Sequence, residues 1–154
     1  MRCFIRDKRG FSLVEMIVTV AILGILASIA IPNLLKYQKK YAYYEDASRV
    51  EYLTKYAKIV AMERSVNIGL CVSGGTFTVR NIGTSRGAGI CTGTVIETFT
   101  PKSHVTLAGS GGSIDPRGIA IQLGNVCVAY DNSYTKAIIS RTGMRVETGT
   151  GGCS

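Results

Sequence analysis

Glu15 stands alone as a charge within a long apolar run. Residues 11–31 read FSLVEMIVTVAILGILASIAI and hold no other ionisable side chain. A carboxylate in hydrocarbon costs about 2.5–3.5 kcal/mol on insertion scales, so a plain anchor has no use for one there. Covalent chemistry falls to five cysteines: Cys3, Cys71, Cys91, Cys127 and Cys153. None stands in a Cys-x-x-Cys pair, so the local clamp of a zinc site is missing. Once residues 1–10 are set aside, four cysteines remain. An even number in a small exported domain implies two disulfides, and four cysteines allow three pairings. Sequence proximity favours Cys71–Cys91 with Cys127–Cys153 while leaving the others open. In the chain-entropy model, loops of this size each stabilise a fold by about 3 kcal/mol.

Catalytic chemistry finds no constellation. The single histidine, His104, falls at a strand or loop edge with no nucleophile motif around it. Gly109–Gly112 with Ser110 reads as a flexible loop, because no Gly-Lys-Ser/Thr and helix follow. Asp115 and Asp131 are too sparse for a calcium site. The expectation is a non-enzyme without cofactor or metal.

Charge is distributed unevenly. The formal total is +8. Residues 1–10 carry Arg2, Arg6, Lys8 and Arg9 against Asp7, a balance of +3. From Asn33 onward, 14 basic residues face 8 acidic ones. That surplus suits a solvated basic surface, and it could also attract phosphates or anionic lipid.

Residues 11–31 are long enough to cross a bilayer as a helix. The basic residues before them keep the N-terminus cytoplasmic by the positive-inside rule. A secretory signal peptide would have a shorter apolar region with a small-residue cleavage site after it. A lipoprotein signal fails because no apolar stretch precedes Cys3.

Gly10-Phe11-Ser12-Leu13-Val14-Glu15 resembles the processing site of type IV prepilins. The resemblance continues through Gly24 and Pro32. It implies cleavage between Gly10 and Phe11 by a prepilin peptidase, and methylation of Phe11. It also implies an inner-membrane precursor that later joins a periplasmic or extracellular filament. Glu15 would become the fifth residue of the mature chain. Stacked helices would then set it beside the positive amine of a neighbour's Phe11 and fix the axial register. Pro32 lacks a backbone donor, and Gly24 is a second weak point. Both are expected to let the stem kink or locally melt as it adjusts to a filament core.

Residues 33–64 contain no Gly or Pro and continue the helix. From Phe11 to Arg64 it would span about 80 Å at 1.5 Å per residue. Leu34, Tyr37, Tyr41, Tyr44, Ser48, Tyr52, Tyr56 and Ile59 or Val60 recur at steps of three and four. The spacing predicts that this stripe packs on the sheet of the head.

After Arg64, β-rich runs alternate with turn residues. Strands are expected at 68–72, 76–82, 94–99, 104–107, 118–123, 126–130, 136–140 and 144–147. Asp131, Asn132 and Ser133 read as a hairpin turn. The fold class is α+β: a long N-terminal helix packed on an antiparallel head at 65–154. Eight short strands hint at two sheets or an extended one.

The C-terminal third, from Asp115-Pro116-Arg117-Gly118 to Gly143-Met144-Arg145-Val146, resembles FimT/H-type minor pilins and pseudopilins. It has Ile114 where that pattern has an aromatic. It has Met144 at the first arginine of the glycine–arginine–x–arginine ending found in DNA-binding members. Arg145, displaced by one, and Arg141 are the candidate DNA-binding residues. The function implied is a structural, minor subunit of a type IV pilus or type II secretion pseudopilus. Its partners would be other pilin or pseudopilin subunits. The alternative is a pilus-tip subunit that captures DNA for uptake.

Overall fold

The structure, a computed structural model, describes residues 11–153. Cys3 and Gly10 lie outside the described residues. The chain divides into two compact units, one up to Gln38 and one from Lys39 onward. One element enters both: α1, Leu13–Arg64.

In the first unit α1 is exposed on every side, from Leu13 to Gln38. Its small polar side chains are satisfied within the helix. The Thr19 hydroxyl donates to the Met16 carbonyl at 2.9 Å and the Ser28 hydroxyl to the Ile25 carbonyl at 2.7 Å. The helix runs unbroken through Pro32, so the missing N–H does not interrupt it here. Its far end is a cap. Ser65 takes the left-handed conformation (φ 52°), and the Val66 N–H reaches back to the Ala61 carbonyl at 3.3 Å. That bond satisfies one of the carbonyls a helix end leaves unpaired. Arg64 in the last turn complements the negative end of the helix dipole.

In the second unit the buried face of α1 is not the tyrosine stripe. Tyr43, Ala47, Val50, Leu53, Ala57, Val60 and Ala61 are buried, whereas Tyr41, Tyr44, Tyr52 and Ile59 are exposed. Tyr56 is only partly buried at the edge of the core. Both stripes have helical spacing. The one rich in alanine lets the helix axis approach the sheets closely, and bulky rings would hold it off. Asp46 lies within the buried stripe and accepts the backbone N–H of Lys102 at 2.9 Å.

Among the described residues, nine strands follow: β1 Ile68–Ser73, β2 Thr76–Asn81, β3 Thr94–Phe99, β4 Thr106–Ala108, β5 Gly112–Ile114, β6 Ala120–Gln122, β7 Gly124–Tyr130, β8 Ser133–Ser140 and β9 Gly143–Thr150. They form two antiparallel sheets, ordered β3-β2-β1-β5-β6 and β4-β7-β8-β9. One core draws on α1 and both sheets, through Ile68, Leu70, Phe77, Val79, Ile114, Val126, Val128 and Ile139. The β7–β8 hairpin turns at Asp131 and Asn132, where Asp131 adopts φ 55°. The disulfides join Cys71 of β1 to Cys91, and Cys127 of β7 to Cys153, with Cα separations of 4.9 and 5.7 Å.

Three readings of the head are corrected. His104 precedes β4 and lies in a turn closed by the Val105 N–H on the Lys102 carbonyl at 2.8 Å. The strand expected over 118–123 is shorter, because Asp115–Gly118 forms a tight turn, with the Gly118 N–H on the Asp115 carbonyl at 2.9 Å. The stretch around Gly109–Gly112 is not a flexible loop. Gly112 opens β5 in full burial, between β1 and β6. Gly111 has φ 68°, and a Cβ there would collide with the Leu70 carbonyl oxygen. Glycine serves close backbone approach here, not mobility.

Candidate functional site

The first candidate site is the apolar stretch of α1. Phe11 is 74% exposed, and Leu13, Ile17, Leu23, Leu26 and Ile31 are exposed with it. Glu15 lies in the first turn, where a carboxylate opposes the positive end of the helix dipole. Among the described residues, a Cβ at Gly24 would meet nothing within 4 Å. The helix is long and apolar enough to cross a membrane, by length and composition. An all-round apolar helix needs lipid or other helices around it.

The second site is a groove in the head. It is lined by Arg86, Asp115, Arg117, Ile119, Ala120, Ile121 and Arg141, with a volume of about 270 Å³. The Asp115-Pro116-Arg117-Gly118 turn builds it from local chemistry. Asp115 Oδ1 accepts the backbone N–H groups of Arg117 and Ile119 at 2.9 and 3.0 Å. Its Oδ2 accepts Arg117 Nη2 at 2.8 Å, Arg117 Nε at 3.0 Å and Arg86 Nη2 at 3.0 Å. Gly118 has φ 77°, which closes the turn at little cost only for glycine. Burial pushes the Asp115 carboxyl up, but the bonds from Ile119 and Arg117 and the Arg117 charge outweigh it and hold the carboxyl below its ordinary value.

The structure separates the two arginines singled out in the sequence. Arg141 lines the groove. Arg145 lies on β9 and pairs with Glu147 at 2.7 Å. Arg86 had no sequence signal. Arg117 was visible only as part of a turn motif. The His104 ring meets Tyr130 edge-on at 5.3 Å, and its Nε2–H donates to the Lys39 carbonyl at 3.1 Å. Among the described residues, no group of three His, Cys, Asp or Glu side chains is placed to hold a metal ion.

Known proteins match the chain in two ways. The family described as the prokaryotic N-terminal methylation motif matches residues 5–31. The type IV major pilin protein PilA of Myxococcus xanthus (strain DK1622) is 58% identical over 33 residues, covering 21% of this chain and 15% of that protein. The crystal structure of the type IV minor pilin FimU of Pseudomonas aeruginosa (strain PAO1) shares the fold. Its TM-score is 0.51 at 11% identity, covering 73% of this chain and 92% of that one. The chain therefore carries a prokaryotic N-terminal methylation motif at its start and a pilin-like α+β fold behind it.

Proposed function

We propose that the chain is a minor subunit of a type IV pilus or type II secretion pseudopilus. It is made as an inner-membrane precursor with a cytoplasmic N-terminus. A prepilin peptidase cuts between Gly10 and Phe11 and methylates Phe11. The mature subunit assembles with other pilin or pseudopilin subunits through the helix that bears Glu15, Gly24 and Pro32. The observation that carries this reading is an apolar helical surface, exposed on all sides from Leu13 to Leu35, with one carboxylate near its start. Lipid covers that surface before assembly, and neighbouring helices cover it afterwards. The minor role draws on the fold shared with the minor pilin FimU. Intact mass and N-terminal sequencing of membrane-extracted protein test the reading. The expected first residue is N-methylphenylalanine at Phe11. An unprocessed chain, or a cut after Ile31, would sink it.

A further inference from the structure

We infer that the groove beside the Asp115 turn is a binding site for a phosphate dianion, held by Arg86, Arg117 and Arg141. This goes beyond filament assembly and uses none of the residues assigned to it. Three segments far apart in the chain converge there. Arg86 comes from the loop after β2, Arg117 from the turn after β5 and Arg141 from the β8–β9 turn. Two of the three are held in place. Asp115, 2% exposed, anchors Arg86 and Arg117 from beneath and has both oxygens engaged.

Holding the turn accounts for Arg86 and Arg117 but not for Arg141. Arg141 makes no hydrogen bond or ion pair among the described residues, yet it lines the same groove. Three guanidiniums against one carboxylate leave the lining at a formal +2. A phosphate group carries about −1.5 to −2 at pH 7 and presents three strong acceptor oxygens. Arginine forks match that geometry better than a lysine point charge does. A carboxylate ligand would leave one positive charge uncompensated, and so would a phosphodiester. Ile119, Ala120 and Ile121 complete the lining beside the three arginines. The phosphate is either the free anion or a terminal phosphomonoester on a larger molecule.

The test uses the full chain in neutral detergent micelles at pH 7.5, titrated calorimetrically with inorganic phosphate and separately with glucose 6-phosphate. Saturable binding at one site is expected for at least one of them. Phosphate alone assigns the free anion, and glucose 6-phosphate alone assigns the phosphomonoester. Arg141→Gln and Arg86→Gln should each weaken binding by about tenfold or more, the scale for losing a charged hydrogen-bond partner. Arg141→Gln removes no observed contact, so its fold should be intact. Lys36→Gln combined with Lys40→Gln removes more charge from α1 and should change affinity less than twofold. Four results overturn the site: no binding of either phosphate compound, an unchanged affinity in Arg141→Gln, an equal loss in the lysine control, or equally strong binding of acetate. Binding of a duplex oligonucleotide without binding of either phosphate compound also overturns it, because that is the behaviour of a diffuse basic surface.

Discussion

The Tyr43 hydroxyl on α1 meets the Thr135 hydroxyl on β8 at 2.8 Å, across 92 positions of sequence. Tyr43 is buried, and its ring lies 6.3 Å from that of Tyr130. The bond ties the helix to the second sheet. Tyr43→Phe should therefore cost about 1 kcal/mol, because Thr135 loses its partner in a part-buried place. Tyr43→Ala should cost about 3–5 kcal/mol, since it also empties the ring volume. Denaturant unfolding of the chain in detergent, followed by tyrosine near-UV circular dichroism, measures both. Equal costs for the two variants would mean that the ring contributes nothing.

Leu53 and Tyr52 are consecutive in α1, about 100° apart around its axis. Leu53 is fully buried, and Tyr52 is 53% exposed. Leu53→Ala should destabilise by about 2–5 kcal/mol. Tyr52→Ala should cost under about 1 kcal/mol, the scale of its exposed contact with Arg49. The same unfolding experiment ranks them, and the reverse order would return the tyrosine stripe to the core.

Each disulfide ties a strand to a segment with which that strand forms no ladder of its own. Cys71–Cys91 ties β1 to the loop before β3, and Cys127–Cys153 ties β7 to the tail after β9. Replacing either pair with serine should lower stability by about 3 kcal/mol. Non-reducing peptide mapping should return two cystine peptides and no alkylatable thiol among these four. A mixed pairing such as Cys71–Cys127 would contradict the arrangement.

Asp115 should make the head acid-sensitive in a defined direction. Its carboxyl is held below the ordinary value in the folded chain. Above about pH 3.9, the unperturbed value, the folded-state preference for the carboxylate contributes its full stability. As pH falls through the lower folded value, that contribution is lost. The stability difference between the native chain and Asp115→Asn should be flat above about pH 5 and shrink below about pH 4. Unfolding midpoints across that range measure it. A difference that grows on acidification would mean that the arginines do not favour the charged form.

Glu15→Leu should leave membrane insertion intact or improved, because the carboxylate costs insertion energy. Incorporation into filaments should fall, because the proposed contact with a neighbour's Phe11 amine is lost. Membrane fractionation and sheared-filament yields separate the two effects. Normal incorporation of the variant would remove the pairing role.

What the sequence could determine by itself was local. The helix was legible because an apolar run and a Gly/Pro-free stretch specify backbone conformation residue by residue. The two-residue turn at Asp131 and Asn132 and most strands were legible for the same reason. The face of α1 that packs was not, because two stripes with the same 3.6-residue period compete. The choice rests on how closely a twisted sheet can approach, and Ala47, Ala57 and Ala61 decide it. Strand β5 was missed because glycine there serves backbone contact with Leu70, a residue about 40 positions away. The arginine groove was also beyond sequence reading. Arg86, Arg117 and Arg141 share no motif, and only the packing of two sheets around the Asp115 turn brings them to one place. Convergence of distant residues is a property of topology, which local propensity does not encode.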